Sequence, residues 1–178
     1  RSLDIRKKSL GLNHPDVALG LNNLALTYEK GDPRTEKLLT RALATFRATL
    51  GERHPLVALT MDNLGAFYRD QKLFNKAEKY FYLSLDLREK ALDASHPDVA
   101  TSLNNLALNY EKQDNFAKAK TLYDRALTKR LNTFGASHID TMTSIANLGL
   151  LRLELKQYGQ ALELARRYIL SLKTRLQK

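Results

Sequence analysis

Apolar residues along the chain recur at the spacing of amphipathic helices, and the helical stretches come in pairs. In "HPDVATSLNNLALNYEK", residues 96–112, one apolar stripe spans an arc of about 100° on a 3.6-residue wheel and contains Val99, Leu103, Leu106, Ala107 and Tyr110. The polar stretch "KQDN" interrupts the pattern. A second apolar stripe follows, with Phe116, Ala119, Leu122, Tyr123, Ala126 and Leu127. The pattern predicts two helices joined by a short turn.

This helix pair is repeated along the chain. Histidines at 14, 54, 96 and 138 open four related stretches, at spacings of 40, 42 and 42 residues. A period of this length is typical of solenoid proteins, in which each repeat packs on its neighbours. We therefore predict repeats at 14–53, 54–95, 96–137 and 138–178, preceded at 1–13 by the end of the second helix of another repeat.

The ends of the predicted helices carry recognisable signals. Proline follows the histidine in three repeats, where its missing N–H costs nothing in the first helical turn. Glycine stands where a left-handed C-terminal cap is expected, at Gly11, Gly51 and Gly135. These signals favour a structural role for the histidines, as helix starts.

Two repeats depart from the common pattern. The first lacks two residues at its inter-helix turn and has Pro33 there, so its second helix should begin late and lose an aromatic residue. The fourth has Ile139 in place of proline, and it reverses a large and a small residue at Ala165 and Tyr168. The fourth repeat therefore either caps the array or contacts something else.

Composition and charge narrow the classes of function. The net charge is +10, but the basic excess lies at the two ends of the chain, so we do not expect nucleic-acid binding. The chain has no cysteine, which excludes disulfides and thiolate metal sites and fits the cytoplasm. No apolar run approaches the roughly 18 residues that suggest a membrane span, so we expect no membrane contact.

The residue pattern offers no catalytic constellation. Neighbouring packed helices lie about 8–10 Å apart, so histidines of successive repeats cannot converge on one metal ion. The sequence shows neither a nucleophile with its base nor a glycine-rich phosphate loop. We therefore expect no enzyme activity, no metal and no cofactor.

The side of the first helix that faces away from the core is the candidate binding surface. In the third repeat it carries Thr101, Asn104, Asn105, Leu108, Glu111 and Lys112. An asparagine recurs at one position of this side in all four repeats, namely Asn23, Asn63, Asn105 and Asn147. Amides could bind the backbone of an extended peptide, or each could bond the neighbouring repeat and stiffen the array.

The order of large, small and aromatic residues in both helices resembles a tetratricopeptide repeat. The 42-residue length and the stretch "HPDVATSLNNLALNYEK" resemble the kinesin light chain subtype. The resemblance implies an all-α, right-handed superhelical solenoid of antiparallel helix pairs. It also implies binding of short acidic cargo peptides that contain tryptophan, through Asn63 and Asn105 with the basic residues Arg69, Arg88 and Arg130. Repeats 1 and 3 have Glu29 and Glu111 at the position of Arg69, so the predicted surface is less basic than the resemblance implies.

These observations predict an adaptor that captures an extended segment of a partner protein in a concave groove. The alternative is a structural scaffold that stacks or self-associates through the open ends of the solenoid. The resemblance implies that repeat 2 forms the centre of the predicted site.

Overall fold

The computed structural model describes residues 2–92 and 96–177, and within these ranges the chain forms helices and turns without a strand. The described helices are α1 (Ser2–Leu10), α2 (Pro15–Ala25), α3 (Pro33–Leu50), α4 (Pro55–Asp70), α5 (Phe74–Ala91), α6 (Pro97–Glu111), α7 (Phe116–Phe134), α8 (Ile139–Glu154) and α9 (Tyr158–Leu176). Each stretch that opens with one of the four histidines contains two helices, so the predicted all-α class is confirmed. None of these helices is long and apolar enough to cross a bilayer.

The contacts divide the chain into two units, Arg1–Ala91 and Leu92–Lys178. In the first unit, each of the helices α1 to α4 contacts the helix that follows it. In the second unit, α7 contacts both α6 and α8, and α8 contacts α9. Within each unit, a helix therefore packs on its partner in the same repeat and on the nearest helix of the adjacent repeat, as expected for nested hairpins.

Small residues allow the paired helices to approach closely. Ala77, Ala119 and Ala161 are buried on the second helices. On the first helix of repeat 2, a Cβ added at Gly65 would lie 2.7 Å from the ring of Phe81, which is itself fully buried. Only glycine allows α4 and α5 to pack at this distance.

The predicted C-terminal glycine caps are confirmed. Gly11, Gly51 and Gly135 have φ angles of 81°, 88° and 75°, in the left-handed region that glycine adopts without strain. The inter-helix turns of repeats 2 to 4 also contain left-handed residues, but these are Lys72, Asp114 and Lys156. No signal in the sequence pointed to them, because side chains of this kind rarely take that conformation.

Repeat 1 shows how the missing two residues are accommodated. The second helix begins at Pro33, one residue later than α5 when the two are aligned at the 42-residue shift, as predicted. The first helix is also shortened, which was not predicted, because α2 has 11 residues where α4 has 16. A connection with fewer residues must join the same two helices. The last turn of α2 therefore unwinds, and its residues become part of the connection.

Buried hydroxyl groups join neighbouring helices where the apolar stripes meet. Ser84 donates a hydrogen bond to the carbonyl of Ala58 at 3.1 Å, and Thr35 donates to that of Ala25 at 3.3 Å. These hydroxyls replace apolar packing at close helix contacts and satisfy their own polar atoms.

Candidate functional site

The four histidines act as helix caps. The Nδ1 atoms of His14, His54, His96 and His138 each accept a hydrogen bond from the backbone N–H two residues later, at 3.1–3.2 Å. This bond satisfies one of the donors that the first turn of a helix leaves unpaired. The helix-start role is thus confirmed. The part of the chain that the structure describes contains no group of three or more acidic or histidine side chains that could hold a metal ion.

The predicted groove residues differ in exposure. Asn23 and Lys112 are exposed, while Asn63, Arg69, Thr101, Asn104, Asn105, Leu108 and Asn147 are half-buried, and Arg88 and Arg130 are buried. Three of them lie in the first unit on α2 and α4, namely Asn23, Asn63 and Arg69. The second unit places five on α6 and α8, namely Thr101, Asn104, Asn105, Leu108 and Asn147, and a sixth, Lys112, directly after α6.

Amide groups bridge neighbouring repeats in both units. The Nδ2 of Asn63 donates to Oδ1 of Asn22 at 2.9 Å, and the Nδ2 of Asn147 donates to Oδ1 of Asn104 at 2.8 Å. These bonds are the stiffening contact that the sequence left open as an alternative. They use one of the two donors of Asn63 and of Asn147, and these two side chains remain partly accessible, whereas Asn22 is buried. Bridging holds the amides in a fixed orientation on the first helices.

The resemblance implied that Arg88 contacts the ligand, and the structure contradicts this expectation. Its side chain is 5% exposed, and Nη1 donates to the Asp62 carboxylate at 2.5 Å. Breaking such a buried pair costs about 3–5 kcal/mol, because the remaining charge stays desolvated. Arg88 therefore joins α4 to α5 and does not present a cation to a ligand.

Arg130, the equivalent residue of repeat 3, is also buried. It donates to the carbonyl of Asp140 at 3.0 Å and to the Ser144 hydroxyl at 2.8 Å, and it reaches the Thr101 hydroxyl at 3.3 Å. Burial lowers the pKa of Arg130, and the Asp140 carboxylate opposes that shift. Arg130 therefore joins repeats 3 and 4. Like Arg88, it forms internal contacts in place of the ligand contact that the resemblance implied.

Arg69 lies in the last turn of α4, beside a carboxylate and an aromatic ring. Its Nε is 3.7 Å from a carboxylate oxygen of Asp70, and its guanidinium lies 5.6 Å from the ring centroid of Phe81. The side chain is 16% exposed. Its role in binding stays a prediction.

The first unit contains a cavity that the sequence did not predict, although its lining includes Leu26 and Ala66, which the sequence offered as part of a hydrophobic floor of the groove. Its volume is about 310 Å³, and it is lined by residues from the unwound end of α2 and from α4, including Leu26, Tyr28, Asn63, Ala66 and Phe67. Carboxylates of Glu29 and Asp70 and the ammonium of Lys30 border it. The cavity lies where repeat 1 lacks two residues, so that deletion is the signal that could have located it.

Tyr68 closes the contact between the first two repeats. Its hydroxyl donates to the Glu36 carboxylate at 2.6 Å, and its ring stacks on Tyr80 with centroids 5.5 Å apart. Burial raises the pKa of Tyr68 well above its ordinary value, and the bond to Glu36 raises it further. Phe81 is buried while Tyr82 is 61% exposed, so only part of the Tyr80–Tyr82 run packs inside the unit.

Comparison with solved structures shows the same architecture in other proteins. BtubC (BKLC) from P. vanneervenii superposes with a TM-score of 0.82 at 21% identity, over 97% of this chain and 69% of that chain. A putative kinesin light chain from Podosopora anserina, with nearly identical TPR-like repeats, gives 0.73 at 22% identity, over 95% of this chain and 81% of that chain. The apo form of RapI gives 0.78 at 16% identity, over 97% and 48%. Because the identities are low, these likenesses establish the fold alone.

Comparison at the level of sequence establishes the family. No curated protein sequence matches the chain. The family model described as tetratricopeptide repeat matches residues 58–131 and, in a second placement, residues 98–169. These matches cover more than half of the chain and agree with the helix pairs of repeats 2 to 4. The chain therefore belongs to the tetratricopeptide repeat family.

Proposed function

We propose that the protein binds an extended segment of a partner protein across the exposed sides of its first helices. The tetratricopeptide fold suggests a protein–protein interaction module and is generally a non-enzymatic scaffold. A fold by itself does not assign a ligand, so the proposal depends on the surface of α2 and α4.

The observation that carries the proposal is the cavity between the unwound end of α2 and α4. Leu26 is 59% exposed at its edge, and Ala66 and Phe67 contribute further apolar surface. An apolar cavity with a few fixed polar groups is the usual form of a ligand site. We assign it to one large apolar side chain of the bound segment.

Amides beside the cavity supply contacts to the backbone of that segment. Asn23 is exposed on α2, and Asn22 links it to Asn63 through hydrogen bonds of 3.3 and 2.9 Å. An amide offers both a donor and an acceptor, so it can pair with a peptide group whatever side chain the ligand carries. The second unit has residues of the same kinds on its own surface, Asn105 and Leu108 on α6 and Lys112 directly after it.

The charges near the cavity favour an apolar anchor over an acidic one. Lys30 is 87% exposed and lies 3.8 Å from the Asp70 carboxylate, while Glu29 adds a further negative charge. Exposed pairs of this kind contribute little to affinity. We therefore expect apolar content to determine binding more than the acidic residues that the resemblance implied.

The experiment is a peptide-array screen followed by titration of the best peptide against matched variants. Ala66→Glu places a charge at the cavity, whereas Ala44→Glu places the same charge on the exposed side of α3. We expect Ala66→Glu to weaken binding by about tenfold or more, because a carboxylate would be desolvated by the anchor, and Ala44→Glu to have no effect. Equal binding by both variants would remove the cavity from the site.

Asn63 and Arg69 provide a second test on the same peptide. The Asn63→Ala and Arg69→Ala variants should each weaken binding if these side chains contact the peptide, by about a kcal/mol or more. Because Asn63 also bonds Asn22, thermal unfolding is measured in parallel to separate binding from stability. Unchanged affinity in both variants would assign the amide only to the contact between repeats.

A further inference from the structure

The last helix pair carries an apolar surface that nothing in the described chain covers. A cavity of about 300 Å³ between α8 and α9 is lined by Gly149, Leu150, Leu153, Ala165, Tyr168 and Ile169, among others. We call these six residues the α8–α9 surface. Leu150, Leu153 and Ile169 are 60%, 49% and 53% exposed.

The same molecule shows what covers the equivalent surface one repeat earlier. The positions of Gly149, Ala165 and Ile169 correspond, at the 42-residue shift, to Ala107, Tyr123 and Leu127. Those three residues are buried in one core cluster against the first helix of the next repeat, α8, which contributes Ile145, Leu148 and Leu151. The face is therefore built to receive a helix with large apolar residues three positions apart.

The differences between the two faces make the α8–α9 surface more apolar. In repeat 3 the Tyr123 hydroxyl donates to the Glu111 carboxylate at 2.8 Å, and repeat 4 has Ala165 and Leu153 at these positions. A capping repeat needs a polar outer face. These replacements remove polar atoms, so repeat 4 does not have the composition of a cap.

Helix α9, which forms one wall of the cavity, is basic. Beyond the apolar residues, α9 carries Arg166, Arg167, Lys173 and Arg175, against Glu163 alone. A second copy of the same surface would bring like charges together, which opposes self-association. An occupant with acidic residues flanking its apolar stripe would meet complementary charge.

We propose that the α8–α9 surface binds an amphipathic helix of a partner protein, with large apolar residues at three-residue spacing and an acidic flank. The helix takes the place that α8 occupies on repeat 3. Apolar side chains fill the cavity around Gly149 and Ala165, and the acidic flank lies along the basic side of α9. This site is separate from the cavity between α2 and α4.

The test uses a synthetic peptide with the sequence of α8, residues 139–154, in which Thr143→Glu, Leu150→Glu and Leu153→Glu make the exposed side acidic. Its packing side keeps Met142, Ile145, Leu148 and Leu151. A control peptide carries lysine at the three altered positions. We expect the acidic peptide to bind the full chain and the lysine peptide to bind about tenfold more weakly, because α9 is basic.

Two protein variants locate the bound peptide. Ile169→Glu and Leu162→Glu place the same charge on α9 at positions of equal exposure, 53%, but only Ile169 lines the cavity. Ile169→Glu should weaken binding of the acidic peptide by about tenfold or more, and Leu162→Glu should weaken it by less than about twofold. Circular dichroism of both variants is the control for folding, and we expect both to keep their helix content.

Three results would overturn the proposal. One is no binding of the acidic peptide to the full chain at about millimolar concentration, where even a weak complex would be populated. Another is equal binding by the Ile169→Glu and Leu162→Glu variants, which would place the peptide elsewhere, including at the α8 position on repeat 3. The third is a dimer in light scattering that Ile169→Glu abolishes, since the occupant would then be a second copy. Ala66→Glu should leave this binding unchanged, so failure here is distinguishable from failure of the proposed function.

Discussion

Repeats 1 and 3 begin with almost the same sequence and fold differently. Residues 14–30 and 96–112 agree at fourteen of seventeen positions, yet α2 has 11 residues and α6 has 15. The connection that follows causes the difference, because repeat 1 passes from helix to helix with two residues fewer. A helix end thus depends on the chain beyond it as well as on local propensity.

One contact is the same in both repeats despite this difference. The guanidinium of Arg34 lies 4.1 Å from the centroid of Tyr28 in repeat 1, and Lys118, at the equivalent position, lies 4.7 Å from that of Tyr110 in repeat 3. The unwound segment of repeat 1 also borders the cavity against α4. The shorter connection of repeat 1 therefore keeps the contact between the cation and the ring and changes the backbone beside it.

The largest expected effect tests the buried pair of repeat 2. Asp62→Ala leaves the buried Arg88 guanidinium without its carboxylate, so we expect a loss of about 3–5 kcal/mol in the free energy of unfolding. Asp62→Asn introduces the residue that repeats 1 and 3 carry at this position, and it keeps a hydrogen-bond acceptor. Denaturant unfolding should show a smaller loss for Asn than for Ala. Equal losses would mean that the charge of Asp62, and not its capacity to accept a hydrogen bond, accounts for the effect.

The second prediction transfers the short connection of repeat 1 to repeat 3. Deleting Asn115 and Phe116 and replacing Ala117 by proline should unwind the last turn of α6. It also removes Phe116, which packs partly buried against the core cluster. We expect a loss of about 2–4 kcal/mol, in the range for removing a large apolar side chain, with reduced helical circular dichroism. Unchanged helix content would show that the length of the connection does not determine where the first helix ends.

The third prediction compares glycines at equivalent positions of repeats 2 and 4. Gly65→Ala should cost about 1–3 kcal/mol, because the new Cβ would lie 2.7 Å from Phe81. At Gly149→Ala the nearest side-chain atom, the Cβ of Leu164, is 3.6 Å away, an ordinary contact. Alanine there should stabilise the protein by about 0.5–1 kcal/mol through helix propensity. Thermal unfolding of both variants measures the difference, and shifts of the same sign would contradict the packing.

The smallest effect concerns the tyrosines of repeats 1 and 2. Tyr68→Phe removes the hydroxyl bonded to Glu36 and should cost about 0.5–1.5 kcal/mol near neutral pH. The pKa of Tyr68 is raised in the folded state, so its contribution is present below the ordinary tyrosine pKa of about 10 and is lost as the pH rises through the folded value. As the pH rises above about 10, the wild type should lose more stability than the Tyr68→Phe variant, as measured by urea unfolding. Tyr28→Phe serves as the control at the equivalent position of repeat 1.

Much of the fold could be predicted because its causes are local and repeated. The four histidines, the prolines that follow three of them and the glycines at 11, 51 and 135 mark helix ends through bonds and φ angles of neighbouring residues. The apolar stripes predicted the helix pairs because the residues that a helix buries recur along the sequence with the period of the helix. Agreement among four copies strengthened each of these signals.

The binding surfaces could be predicted only in part, because they depend on contacts between distant residues. The sequence placed Arg88 and Arg130 among ligand contacts. In the structure Asp62, 26 residues away, binds Arg88 within repeat 2, and Ser144, 14 residues away, binds Arg130 between repeats 3 and 4. Likewise, the amide bridge from Asn63 to Asn22 spans 41 residues. No local pattern distinguishes a polar side chain that faces solvent from one that meets another helix.

The sequence by itself determined the helix pairs, their period and most of their ends, since these follow from propensity, capping and the spacing of apolar residues. Only the tertiary structure decided that α2 unwinds, that a cavity opens beside α4 and that an apolar surface remains between α8 and α9. Each of these depends on how far apart two packed helices lie. That distance is set by side chains from several repeats at once.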